Sequence, residues 1–338
     1  MPPMTGLAAT LAAALPLATA LPALAEVNVY SYRQPELILP LVDAFTAETG
    51  IEVNIAFLNT GLTERLLAEG SRTPADIILT ADIQRLIEAV EAGVTQPVDS
   101  DVLTANVPEA FRDPDGQWFG LTSRARIVYA SKERVAPGEV TTYEDLADPK
   151  WQGRICTRSG THAYNTALTA AMLEHHGEDD TRTWLEGLKA NLAMKPQGND
   201  RAQVKSIWAG ECDISLGNTY YMGEMLEDDE QRAWAESVRI DFPVFEDGGT
   251  HVNISGVAMT AHAKHPDDAR AFMEFLTSPE AQSIYAAANH EYPVSDAAAP
   301  SEMVASWGSF TPDNIDLTVL AHDRGEALKL TQEIDFDG

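Results

Sequence analysis

Basic residues are scarce in this chain. Lys and Arg number 23 against 52 Asp and Glu, a formal net charge of −29 over 338 residues. That balance excludes nucleic acid as a partner, because a phosphate backbone needs a basic face. It disfavours adhesion to anionic membranes for the same reason. Cysteine is scarcer still, with only Cys156 and Cys212 present. They stand too far apart for a CxxC motif, and in an oxidising compartment an isolated pair reads as a structural disulfide rather than a redox or metal site. No histidines fall at zinc-ligand spacing. A G-x-S-x-G elbow is missing, and no acid is placed to orient His162 toward Ser159, so a secreted hydrolase finds no support. Beyond residue 25 no apolar run approaches the roughly 20 residues that a bilayer crossing needs.

Charge of either sign is missing altogether between Met1 and Ala25. The apolar stretch from Leu7 to Leu21 is broken by Pro16, and Ala23-Leu24-Ala25 has the small-x-small form of an export cleavage site. The basic start of such a segment is absent. We read 1–25 as a signal peptide, the mature chain starting at Glu26 outside the cytoplasm.

From there, short apolar strands alternate with amphipathic helices. Val27–Ser31, Ile51–Ile55 and Ala75–Thr80 read as strands, and Glu36–Glu48, Leu62–Glu69 and Ile83–Ala92 as helices. This β-α-β-α-β-α order implies a mainly parallel sheet flanked by helices. A second round starts near Trp151, with strands at Arg154–Thr157 and Asp213–Gly217 and helices at His162–His175, Trp184–Ala193 and Ala202–Ala209. Ser255–Thr260 is again strand-like and Pro266–Leu276 helical. The class is α/β, in two lobes without a flexible linker, with a ligand cleft between them. Ligands of open α/β sheets gather at the carboxyl ends of strands.

Four segments at such places carry chemistry: Tyr30-Ser31-Tyr32-Arg33-Gln34-Pro35, Thr122-Ser123-Arg124-Ala125-Arg126, Arg158-Ser159-Gly160-Thr161-His162-Ala163-Tyr164 and Gly217-Asn218-Thr219-Tyr220-Tyr221. Ser159, Gly160 and Thr161 would offer hydroxyls and backbone N–H groups at a helix start, which suits an anion or a simple cap. Tyr220 and Tyr221 side by side in a strand would face opposite ways. If the strand has ended before them, both phenols can reach the cleft. Phenolate is a hard oxygen donor, and a bound cation can drive its deprotonation.

These segments, with Glu69-Gly70-Ser71-Arg72-Thr73-Pro74-Ala75-Asp76-Ile77, Gly249–Gly256 and Phe272–Glu280, resemble the periplasmic ferric-ion-binding proteins of iron(III) ABC importers, over essentially the whole mature chain. The resemblance implies a type II bilobed periplasmic-binding-protein fold, with a hinge, an iron cargo and an inner-membrane permease as partner, and no catalysis. The expected lobes are 26–122 plus 254–290, and 123–253 plus 291–338. Tyr220 and Tyr221 match the family's paired iron ligands, and Tyr164 matches a third tyrosine of one subgroup. Another subgroup supplies a histidine and a glutamate where this chain has Gln34 and Ala81, so that scheme is not available. A His-Tyr pair of some tyrosine-rich members is Gln34-Pro35 here, leaving Tyr32 as the candidate fourth ligand. Three phenolates underfill a ferric octahedron, so carbonate or another small anion would complete it. Arg33 and Arg124 are the candidates to hold that anion through paired hydrogen bonds, with Ser159 and Gly160 adding donors. The expected product is a periplasmic monomer carrying Fe3+. The competing expectation keeps the fold but binds a small oxyanion or other solute without metal.

Overall fold

The computed structural model describes residues 25–338. The segment read as a signal peptide, 1–25, lies outside the described residues except for Ala25. The strands are β1 (Glu26–Ser31), β2 (Glu52–Phe57), β3 (Ile77–Thr80), β4 (Thr95–Gln96), β5 (Phe119–Ser131), β6 (Ile155–Cys156), β7 (Ile214–Asn218), β8 (Val238–Asp241), β9 (Val252–Thr260) and β10 (Tyr292–Pro293). The α-helices are α1 (Leu39–Thr49), α2 (Leu62–Glu69), α3 (Ile83–Glu91), α4 (Asp101–Asn106), α5 (Ala163–Ala190), α6 (Asp200–Trp208), α7 (Tyr220–Glu227), α8 (Arg232–Ser237), α9 (Pro266–Leu276), α10 (Pro279–Asn289), α11 (Glu302–Ser306) and α12 (Leu317–Glu333).

The local chemistry accounts for many of these boundaries. Gly50 closes α1 in the left-handed conformation at φ 75°, a backbone state glycine adopts without a Cβ clash. The Asp82 carboxylate accepts the Gln84 N–H and so starts α3. The two helices expected at His162–His175 and Trp184–Ala193 are one element, α5, bent where Gly177 takes φ 74°.

Strand order runs β2-β1-β3-β9-β5-β7-β6. β1 lies parallel to β2 and β3, and β6 parallel to β7, but β9 is antiparallel to both β3 and β5, and β5 is antiparallel to β7. The sheet is therefore mixed rather than mainly parallel. The alternation rule describes each end, and the long strands that join them run against it.

All 13 residues of β5 are buried. Its first half pairs with β9, and from Arg126 onward it pairs with β7. Thr122–Arg126 is thus mid-strand, not the post-strand turn expected from sequence. Its polar residues hid it from a periodicity reading. The crossing is tight: a Cβ at Gly256 would come within 2.7 Å of Leu86 Cδ1 and 2.8 Å of the Phe119 carbonyl oxygen.

One core packs under β1, β3 and β9, where Phe45 meets Phe272 and Phe275 at ring distances of 4.8 and 5.3 Å. A smaller core surrounds the disulfide between Cys156 and Cys212, with Val204, Ile207, Met225 and Val238. That bridge ties β6 to the turn before β7 across a Cα–Cα distance of 5.9 Å. Among the described residues, no helix is long and apolar enough to cross a membrane.

Candidate functional site

Tyr220 and Tyr221 open α7, immediately after β7 and Thr219. The backbone there is helical, so neighbouring side chains diverge by roughly 100° instead of pointing to opposite faces. The two rings lie 4.3 Å apart, tilted by 42°. Tyr220 also donates its hydroxyl proton to the Tyr164 hydroxyl at 3.0 Å. Tyr164 is the second residue of α5, whose start is fixed when the Tyr164 N–H donates to Nδ1 of His162 at 3.2 Å. Three phenols drawn from two helix starts therefore converge.

Tyr164 and Tyr220 line a cavity of about 170 Å³ together with Arg33, Arg124, Glu224 and Glu291. Burial raises the Tyr220 phenol well above its ordinary value, and the nearby Tyr164 and Tyr221 oxygens raise it further. Burial, then Tyr164 and Asp200, push Tyr221 up to about 12. Both are neutral phenols at physiological pH, so a cation that ligates them must displace protons. Among the described residues no group of three His, Cys, Asp or Glu is placed to hold a metal. Beside the phenols the cavity carries two carboxylates, Glu224 and Glu291, of which Glu291 is paired with Arg33.

The expected anion donors fall into two groups. Arg33 and Arg124 both line the cavity. Arg33 is engaged by Tyr285 at 2.9 Å and by Glu291 at 3.1 Å. Burial opposes its charge, but the Glu291 carboxylate and the Tyr285 hydroxyl together outweigh burial and raise its pKa. Arg124 donates through Nη2 to the Ala81 carbonyl oxygen, while its Nη1 is buried with no partner. Ser159 and Gly160 do not line the cavity. The Asp337 carboxylate takes the Ser159 hydroxyl and the Gly160 N–H, the latter at 2.8 Å, so the turn's donors are spent within the protein. Tyr32 is also turned elsewhere: its hydroxyl accepts the Leu62 N–H at 2.9 Å, and Arg85 stacks 3.8 Å from its ring centre. The structure brings Tyr164, Tyr220, Arg33 and Arg124 to one cavity, sets Tyr221 beside Tyr220 without lining it, and leaves Tyr32, Ser159 and Gly160 out.

Behind the tyrosines lies a network that the sequence reading missed. Asp200, wholly buried in the first turn of α6, accepts from Arg126 at 2.8 Å, Arg158 at 3.1 Å and the Asn218 N–H at 3.1 Å. Arg126 further donates to Asn165 and Asn218. The Arg158 guanidinium carbon stands 5.1 Å from the Tyr164 ring centre. Asn165 adjoins Tyr164 and Asn218 precedes the tyrosine pair by two, so proximity in sequence was the available signal. Nothing local marks Asp200.

A mixed α/β chain whose strands β5 and β9 join two sheets, with a polar cleft lined from both, has the architecture of a solute-binding protein. The chain belongs to the bacterial extracellular solute-binding proteins, whose family model matches residues 72–311. Iron uptake protein A1 of Synechocystis is 45% identical, covering 91% of this chain and 86% of its own length. The open crystal structure of Mannheimia haemolytica ferric iron-binding protein A superposes with a TM-score of 0.89 at 51% identity, over 93% of this chain and 99% of that one. A Trichodesmium relative in complex with iron and citrate gives 0.88 at 39% identity, over 92% and 99%.

Proposed function

We propose that this chain captures ferric iron in the cleft through the phenolate oxygens of Tyr164, Tyr220 and Tyr221 and delivers it to an ABC permease. The single observation that carries the reading is the grouping of three phenols at one cavity: Tyr164 and Tyr220 line it and are hydrogen-bonded to each other, and the Tyr221 ring stands 4.3 Å from that of Tyr220. Three phenolates neutralise the three positive charges of the ion. The open coordination places go to a small chelating anion of the carbonate or citrate class, held on the Arg124 side of the cavity, and Arg33 shapes that wall with its charge already balanced by Glu291. The iron and citrate bound by the Trichodesmium relative support this reading. We assign 26–122 plus 254–290 and 123–253 plus 291–338 to lobes that close over the cargo about β5 and β9. We read 1–25 as the export segment of a periplasmic protein that works as a monomer, a location that the family supports.

The test is competitive titration with ferric nitrilotriacetate, monitored in the visible. Wild-type protein develops a phenolate-to-iron charge-transfer band, and Tyr220→Phe and Tyr221→Phe each weaken binding. A colourless, unchanged protein that instead binds phosphate or sulfate would establish the metal-free oxyanion carrier.

A further inference from the structure

We propose that a second, deeper cavity, behind the tyrosines where α5 covers the paired strands β5 and β9, is a binding site for one small monatomic anion of the halide class. The cavity measures about 10 Å³ and is lined by Arg124, Arg126, Tyr164, Ala167, His251 and Asn253, with Asn218 closing one end. Its size admits a single atom-sized occupant. Three of its lining side chains are more than nine-tenths buried and carry polar atoms with no protein partner: Arg124 Nη1, Arg126 Nε and His251 Nδ1. Buried guanidinium nitrogens are seldom left unsatisfied, because each forfeits its hydration on folding.

Local charge favours an anion over a water molecule. Asp200 is shared by Arg126 and Arg158, and Asp82 faces Arg324 with Arg124 beside it. Four guanidiniums thus stand against two carboxylates, leaving an excess of two positive charges, since the Arg33–Glu291 pair is neutral. His251 is kept uncharged by burial and by Arg324, Arg126 and Arg124, and in the tautomer with the proton on Nδ1 it is a neutral donor lining the same cavity. Iron with three phenolates would add no net charge. An oxyanion on the iron would sit in the larger cavity, which Arg124 lines but Arg126 and His251 do not. A carbonate-sized group is too large for the deeper one.

The site is tested on iron-free protein, so the result does not depend on the iron reading. Crystals grown in sodium bromide and in sodium isethionate are compared by anomalous diffraction at the bromine edge. A bromide peak within hydrogen-bond reach of Arg124 Nη1 and Arg126 Nε is expected. Density there without anomalous signal means water and overturns the proposal. In solution, at constant ionic strength, the unfolding midpoint should rise with the logarithm of bromide concentration in the wild type, as it does when a ligand binds only the folded state. Arg124→Gln, which removes a donor and its charge, and Ala167→Val, which fills the cavity, should each flatten that rise. An undiminished slope in either variant sinks the assignment.

Discussion

Each phenol in the cleft has a distinct neighbour, and single substitutions should separate their parts. Tyr220→Phe removes the oxygen bonded to Tyr164, and Tyr221→Phe removes the hydroxyl of the ring tilted beside it. Each should cost iron affinity by more than the roughly 10–100-fold typical of losing a supporting group around a metal. Each should also dim and shift the visible band, and Tyr32→Phe should do neither. Asp200→Asn tests the support layer. It leaves Arg126 and Arg158 without their shared carboxylate, a buried imbalance that should cost about 3–5 kcal/mol in chemical unfolding. The tyrosines were legible in the sequence because two adjacent phenols after a strand are unusual and the flanking motif is distinctive. Ser159 and Gly160 were misplaced for a physical reason. A helix-start turn rich in donors invites an anion, and the anion that arrives is Asp337, from a position 177 residues beyond Gly160 that no local pattern connects to it.

Among the elements, the outer strands and helices were readable because they obey periods of 2 and 3.6 with ordinary caps, whereas β5 was not. A strand buried along its whole length carries no alternation, and the polar run Thr122-Ser123-Arg124 mimics a turn until its partners on β9 are known. The disulfide offers a prediction at this scale. Cys156 and Cys212 are 56 residues apart in sequence, and closing a loop of that size stabilises the fold by about 4 kcal/mol on chain-entropy grounds. The double Cys→Ala variant should lose about that much in denaturant unfolding yet keep the iron band, since the bridge lies in the smaller core around Val204 and Met225 rather than in the cavity wall.

For the molecule as a whole, acid should act twice. His251 is held to about 3 by burial and by the arginines around it, and His162 to about 4 by burial and Arg158. Both must be neutral in the fold, while in the unfolded chain they take protons near 6.5. The stability tied to their neutrality is complete above pH 6.5 and is lost as pH falls from there toward the folded values. The slope approaches about 1.4 kcal/mol per pH unit for the buried His251, and less for the half-buried, solvent-screened His162. Unfolding midpoints measured between pH 7 and 4.5 should therefore fall steadily, and His251→Gln should flatten the trend. Iron affinity should fall over the same range for a separate reason. Tyr220 and Tyr221 carry their protons at neutral pH, so each one displaced by the metal contributes up to about a tenfold loss per unit of acidification. Proton counting during ferric titration in weak buffer checks this directly.

Because β5 runs unbroken from one sheet into the other, with Arg124 and Arg126 two residues apart and facing the same way, the hinge and the iron-binding surface proposed above would share one stretch of backbone. Rotation there can proceed only by twisting a hydrogen-bonded ribbon, as in a torsion bar, and any cargo that reorients those guanidiniums applies its torque at the axle itself. Spectroscopic labels at the far rims of the two halves would register that twist with a long lever arm, turning metal arrival into a measurable distance.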